Sequence, residues 1–341
     1  MEAGASPTSA FAPAHRHTGL RCPNGRSDGK RNHSMTTASD ARPVLSGTPS
    51  TRGWAAVARD YVVLIKPTII LLLLITTVPA MILASDAWPS TWLITATLIG
   101  GVLAAGGAGA VNMYIDRDID NLMARTRSRP IPTGRIPAKH AAILGIAMGI
   151  SSGIWLTLTV NAFAAVLALG AFLYYVVIYS MWLKRTTVHN TVLGGVAGAA
   201  PPLIGWVAVT GEVSWTGILL FLVVFAWQPP HFWALALVLA DDYRAASVPM
   251  LPVVRSESET KGQTLAWALL TLAVTLALGI TAQLSALYFT VAIAGGVGFV
   301  LVAWRLFRTP GIKAAPSLFR YSTLYLAVLF AAMALDRLLI G

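Results

Sequence analysis

Residues 91–130 read TWLITATLIGGVLAAGGAGAVNMYIDRDIDNLMARTRSRP. The stretch from Thr91 to Ile115 carries no charged side chain and exceeds the roughly 20 apolar residues that a helix needs to cross a bilayer. Directly after it stand Asp116, Asp118 and Asp120, then Arg125, Arg127 and Arg129. An uncharged span that ends abruptly in alternating charge reads as a transmembrane helix meeting water.

The same pattern recurs along the chain. Nine apolar stretches are long enough to span: 61–84, 91–115, 141–159, 162–182, 190–209, 215–239, 264–282, 286–304 and 319–338. The fold class is therefore all-α, a polytopic membrane protein of nine transmembrane helices. Composition agrees, since 56% of the 341 residues are hydrophobic and 11% are charged, against about 25% charged in soluble domains. An ordinary soluble enzyme, a disordered protein and a coiled coil are excluded. Junctions at Asn161 and at Leu284-Ser285 are so short that their flanking helices form antiparallel hairpins. Glycine patches at Gly100-Gly101, Gly106-Gly107, Gly194-Gly195, Gly198 and Gly295-Gly296 suit close helix contact in lipid.

The formal charge of +11 would, on a soluble fold, suggest nucleic acid. Here the basic residues sit between spans. Under nine spans, 24 of the 25 Lys and Arg fall on one side, and only Arg337 departs. The opposite connections carry Asp86 and Glu212. The positive-inside rule places the N-terminus in the cytoplasm and the C-terminus outside. Nucleic acid is not an expected partner; the lipid bilayer is.

Residues 1–52 are rich in Ser, Pro, Gly and Arg, hold no apolar run and read as a disordered basic tail before a membrane domain at 53–341. The tail lacks the apolar core of a secretory signal. Met35 offers a second candidate start. Cys22 is the sole cysteine, so no internal disulfide or Cys-x-x-Cys metal site exists.

Carboxylates at span ends need a reason. Asn112, Asp116 and Asp120 are spaced i, i+4, i+8 and cover an arc of about 80° on one helix face, with Asp118 turned away. Two carboxylates and an amide oxygen make a hard site of the kind Mg²⁺ prefers, usually shared with substrate phosphates. Arg125 and Arg129 beside it suggest diphosphate recognition. The plainer alternative is that these aspartates balance the arginines at a wet edge. A second polar group comprises Gln228, Pro229, Pro230 and His231, then Asp241, Asp242 and Tyr243. The prolines imply a kink or break, and Asp242 shares the face of His231 if the helix continues. A third holds Lys184, Arg185 and His189, where an interfacial basic belt is the competing reading.

With these residues assembled, the chain resembles the UbiA superfamily of intramembrane prenyltransferases and, within it, the haem O synthase branch. The resemblance runs from about Leu64-Ile65-Lys66-Pro67 to the C-terminus. Its most specific parts are Asn112-x3-Asp116-x3-Asp120, Arg125-Thr126-x2-Arg129-Pro130, Trp227-Gln228-x-Pro230-His231-Phe232, and Asp242-Tyr243 through Pro249-Met250-Leu251-Pro252. Thr68 departs from the Arg common after the first Lys-Pro, which leaves the role of Lys66 open; Ala246-Ser247 replaces the usual Ala-Gly.

The resemblance implies nine helices around a central cavity, farnesyl diphosphate with Mg²⁺ as donor, and haem B as acceptor. It implies metal ligands at Asn112, Asp116 and Asp120, with Asp241 and Asp242 for a second ion. Arg125, Arg129, Lys184 and Arg185 would meet the leaving pyrophosphate, Gln228 and His231 would serve the acceptor side, and Tyr243 would bind substrate. Asp116, Asp120, His231 and Asp242 are then the catalytic candidates. A haem A synthase or a terminal oxidase assembly is the protein partner it suggests. The competing functions are a UbiA-type transferase acting on a quinone or chlorophyll precursor and a cation-coupled transporter. The latter needs carboxylates in mid-span and an internal repeat, and the sequence has neither.

Overall fold

The structure, a computed structural model, describes residues 53–85 and 87–340. The expected tail at 1–52, Cys22, Met35 and Asp86 lie outside the described residues.

The expected first span does not form one continuous helix. Helix α1, Trp54–Leu64, ends before Lys66, and α2, Pro67–Ser85, begins anew. Pro67 has no N–H to donate and crowds the residue before it out of the helical region. Lys66 accordingly takes a left-handed φ of 54°. Helix α1 exposes Trp54, Val57, Val62 and Val63 and buries Asp60 and Leu64, the pattern of a helix lying at the membrane edge.

The other spans appear close to their expected bounds: α3 Thr91–Ile115, α5 Ala138–Thr159, α6 Ala162–Thr186, α7 Asn190–Thr210, α8 Trp215–Val238, α10 Glu257–Thr281, α11 Ala286–Arg308 and α12 Ala315–Leu339. These eight are long and apolar enough to cross a membrane, and the Ile70–Ser85 part of α2 is a shorter apolar segment. Two short helices, α4 Arg117–Leu122 and α9 Ala240–Ala245, follow α3 and α8 on the basic-loop side. Exposed tryptophans mark both edges, with Trp54, Trp182 and Trp304 at one and Trp88, Trp92 and Trp215 at the other.

Side-chain caps start the helices where the chain turns. Ser90, Asn161, Ser214, Ser256 and Ser285 each accept a backbone N–H from the first turn. Helices α2, α3, α5, α6 and α7 pack as one ring, while α8, α10, α11 and α12 form a second group that meets it through α2 and α7. The glycines divide between two jobs. A Cβ at Gly107 would stand 2.6 Å from the Gly145 carbonyl, so α3 and α5 touch backbone to backbone. At Gly101 a Cβ would meet nothing within 4 Å.

Helix α6 departs from α geometry over Tyr174–Leu183, which is π-helical. The wider turn, with its i→i+5 bonding, shifts which side chains share a face. Ser180 Oγ donates to Tyr175 O, five residues back, at 2.8 Å.

Candidate active site

Helices α2, α3, α6, α7 and α8, with residues of α4, α9 and the loop after α4, line a cavity of about 360 Å³. On α3 the lining positions are Thr97, Leu98, Gly101, Ala104, Ala105, Ala108 and Asn112, one stripe at helical spacing. Helix α2 contributes Ile70, Leu73, Leu74 and Thr77, again i, i+3, i+4, i+7. Helix α6 adds Ala168, Phe172, Tyr175 and Tyr179, and α7 adds Gly195, Gly198 and Ile204. The upper reach is thus apolar and made largely of small residues. The lower end is polar and carries Lys66, Asn112, Asp116, Asp120, Arg125, Thr126, Arg129, Lys184 and Tyr243.

The expected column forms. Although α3 ends at Ile115, Asp120 N–H still donates to Asp116 O at 2.8 Å, so α4 prolongs the helical register. Asn112, Asp116 and Asp120 are all buried, whereas Asp118 is 61% exposed on the opposite side. Each member of the column meets a cation or donor from the chain itself. Lys66 Nζ donates to Asn112 Oδ1 at 2.6 Å. Arg129 Nη1 donates to both oxygens of Asp120, at 2.9 and 2.8 Å. Lys184 Nζ pairs with Asp116 Oδ2, which also accepts from Asn112 Nδ2 at 2.7 Å. The π-helical stretch presents Ser180, with Lys184 directly after it, and Asn112 Nδ2 donates to Ser180 Oγ at 3.0 Å.

One oxygen stays unused. Asp116 Oδ1 is buried without a hydrogen-bond partner, and Arg185 Nη2 stands 3.8 Å away. Arg185 is engaged by Asp118, at 2.7 and 2.8 Å. Those paired hydrogen bonds hold the Asp118 carboxyl well below the usual carboxylate range.

The second polar group is rearranged. Helix α8 runs unbroken through Pro229 and Pro230 to Val238 and then stops at Leu239. The expected break at the prolines does not form, and Asp242 and His231 part by their contacts, Asp242 meeting the Arg125 backbone N–H while His231 turns to Ser322. Helix α8 faces the cavity with Gln228, Phe232 and Leu235. His231 lies about 60° round the axis from Gln228 and on the same side as Trp227. Its ring stacks between Trp227 and Phe319, with centroids 4.4 Å from each, and its Nδ1 is 2.7 Å from Ser322 Oγ. His231 thus faces α12, not the cavity lining. Asp241 is fully exposed and pairs with Arg244, away from the column. Asp242 accepts from the Arg125 backbone N–H at 3.5 Å, and burial pushes the adjacent Tyr243 hydroxyl up. His189 is exposed at the start of α7.

The loop between α4 and α5 is pinned in place. Thr126 Oγ1 donates to Asp120 O at 3.0 Å, and Arg135 donates to Asp60 on α1 at 3.0 and 3.1 Å. The pattern of the UbiA prenyltransferase family matches residues 73–332. This chain belongs to the UbiA prenyltransferase family.

Two curated relatives are both protoheme IX farnesyltransferases. The one from Roseiflexus sp. (strain RS-1) is 48% identical over 297 residues, which are 87% of this chain and 56% of that protein. This chain therefore spans little more than half the length of the Roseiflexus relative. The one from Symbiobacterium thermophilum is 49% identical over 282 residues, 82% of this chain and 94% of that protein. Among solved structures, a digeranylgeranylglyceryl phosphate synthase in membranes is similar with a TM-score of 0.70 at 16% identity, over 83% of this chain and 99% of that one. A UbiA homolog from Archaeoglobus fulgidus bound to GPP and Mg²⁺ is similar with a TM-score of 0.58 at 16% identity, over 80% of this chain and 99% of that one. At such identities the likeness is one of fold.

Within this UbiA-family fold, sequence reasoning missed Ser180 and left Lys66 undecided, yet both contact Asn112. A lysine placed directly before a proline at the start of an apolar run was the available signal for Lys66. Ser180 had none, because the π-helical register breaks the period by which faces are read. Among the described residues no three acidic or imidazole side chains converge as a closed metal cage. Of the column's side-chain oxygens, Asp116 Oδ1 is the one without a hydrogen-bond partner among the described residues, the others being taken up by Lys66, Arg129, Lys184 and Asn112.

Proposed function

We propose that this chain transfers the farnesyl group of farnesyl diphosphate to a vinyl group of haem B, with addition of water, to give haem O and diphosphate. The observation that carries the reading is the buried Asn112–Asp116–Asp120 column at the foot of a long apolar cavity. An anionic head and an apolar tail joined end to end is the ligand such a cavity suits. The curated relatives supply the acceptor, since those at 46–49% identity are protoheme IX farnesyltransferases.

The orphaned Asp116 Oδ1, with its hard oxygen neighbours, fits Mg²⁺. Asn112, Asp116 and Asp120 would hold it, with Asp242 as the candidate for a further ion; bound with the donor, Mg²⁺ would neutralise the diphosphate and ease its departure. Asp241 is left out by its exposure. The chain's own cations act on the same charge. Lys184, Arg129 and Lys66 already surround the column and would turn to the developing pyrophosphate, with Arg125 and Arg185 at the rim. Preorganised donors of this kind act most strongly where water is excluded. The stripes on α2 and α3 exclude it, hold the tail and shelter the reactive carbon.

The basic loops favour a polar cavity end at the cytoplasmic face of the cell inner membrane, which would leave the N-terminus inside and the C-terminus outside. The catalytic domain proposed for this chemistry begins at residue 53. The test is pigment extraction from membranes with and without the gene. Conversion of haem B to haem O supports the reading; an unchanged haem profile with the protein present overturns it.

A further inference from the structure

Gln228 lies on the inner wall, 6% exposed. Its surroundings fix the orientation of its amide. Nε2 donates to Gly195 O at 2.9 Å and to Val224 O at 3.4 Å. The reversed amide would set an oxygen against two carbonyl oxygens and satisfy neither. Both N–H groups are therefore committed to the backbone, and Oε1 accepts no hydrogen bond among the described residues. The wall opposite is cut back to receive it. A Cβ at Gly198 would stand 2.5 Å from Oε1, and one at Gly195 would stand 3.6 Å away. A buried carbonyl oxygen is thus held beside two glycines in a cavity otherwise lined largely by Ala, Leu and aromatic side chains.

We propose that Gln228 Oε1 holds and aims the water that completes the transfer, an inference that rests on the farnesyl-to-vinyl reading above. In that reaction the C–O bond of farnesyl diphosphate breaks and its electron pair leaves with the diphosphate. The vinyl π pair forms the new C–C bond, which leaves a cation on the vinyl carbon attached to the macrocycle. A lone pair of water then forms the C–O bond, and the surplus proton goes to the released diphosphate. A neutral amide oxygen accepts a hydrogen bond without taking that proton. It leaves the water's lone pairs directed away from the amide, toward the cation. In so apolar a cavity the competing fate of the cation is loss of a proton to give an alkene. One fixed water decides between the two products. His231, whose ring is packed against Ser322, does not serve here.

The test compares full-length wild type, Gln228→Leu, Gln228→Glu and Gly198→Ala in membranes supplied with haem B, farnesyl diphosphate and Mg²⁺, with products read by mass spectrometry. Gln228→Leu should raise the ratio of the alkene, lighter than haem O by one water, about tenfold, which corresponds to about 1.4 kcal/mol. Gln228→Glu sets an oxygen against the Gly195 and Val224 carbonyls where Nε2 donated and can take the water's proton, so it should also raise the alkene ratio. Gly198→Ala crowds Oε1 while keeping the glutamine, should shift the ratio as Leu does, and carries the test if Gln228→Leu fails to fold. An unchanged product ratio in Gln228→Leu or Gly198→Ala overturns the proposal. So does a folded Gln228→Leu that binds farnesyl diphosphate but makes no farnesylated haem, which would assign Gln228 to acceptor binding. Wild-type membranes that farnesylate no haem would instead overturn the underlying reading, and this proposal with it.

Discussion

Replacing Gly101 with phenylalanine should shorten the donor that the protein accepts. Gly101 lies eleven residues before Asn112 on the same face of α3, about 17 Å along the axis at 1.5 Å per residue. An extended isoprene unit advances about 5 Å on ordinary C–C bond lengths, so three units bring the farnesyl terminus close to Gly101. A Cβ there meets nothing within 4 Å, so the new ring enters the cavity and leaves the helix packing alone. Removing a helical glycine should itself stabilise α3, by up to about 1 kcal/mol. Displacing the last isoprene unit forfeits burial of about five carbons at about 0.8 kcal/mol each, about 4 kcal/mol as an upper bound. Geranyl diphosphate, one unit shorter, forfeits none of it. The assay is kcat/KM for farnesyl against geranyl diphosphate with haem B as acceptor. The preference should move toward geranyl by between about tenfold and a thousandfold, the range spanned by about 1.4 to 4 kcal/mol. An unchanged preference in a folded variant would show that the tail does not run along the α3 stripe.

Three further outcomes follow from the geometry. Asp116→Asn keeps the shape but removes the unpartnered oxygen, so turnover should fall by at least about a hundredfold, and heat protection by Mg²⁺ with farnesyl diphosphate should vanish; turnover within a few-fold of wild type would end the metal role of Asp116. His231→Ala loses three ring contacts, to Trp227, Phe232 and Phe319, and the Ser322 hydrogen bond, and should lower stability by about 2 kcal/mol with both KM values unchanged. A selective rise in acceptor KM at unaltered stability would return His231 to the site. Asp118→Asn should cost less than about 1 kcal/mol, because the pair with Arg185 is largely solvated. Arg185 lowers the folded pKa of Asp118. Its contribution is therefore present above the unfolded carboxyl value near pH 4 and is lost as pH falls through the lower folded value. Unfolding of the two proteins across pH 7 to 3 should differ most at neutrality, with the gap beginning to narrow below about pH 4; a gap that widens in acid would contradict the pairing.

The spans and the column were legible because each rests on one period. Apolar length sets the helices, and i, i+4, i+8 spacing sets Asn112, Asp116 and Asp120 on a face that α4 preserves. The break at Pro67 was legible in principle, but hydropathy runs straight across it. Other features depend on a register that composition does not carry. The π-helical turn that brings Ser180 to Asn112 changes the period within a single span. His231 and Gln228 are three residues apart, yet they lie on either side of the boundary between the cavity and α12. Glycines on α3 look alike in sequence, and only the neighbour decides whether one meets a helix or an open wall.

The pairing of the column with Lys66, Arg129 and Lys184 bears on how the molecule is made. A bilayer offers little to solvate a bare carboxylate, and each helix must be inserted before any substrate is at hand. With counter-charges encoded on α6 and on the loops beside α2 and α4, the aspartates arrive at their depth already balanced. Assembly in the membrane is then independent of the cell's supply of magnesium or prenyl donor. If the proposed chemistry holds, these three cations would serve twice, first to balance the buried aspartates and then to meet the pyrophosphate. A substitution among them would appear first as poor accumulation of protein and only afterwards as poor turnover.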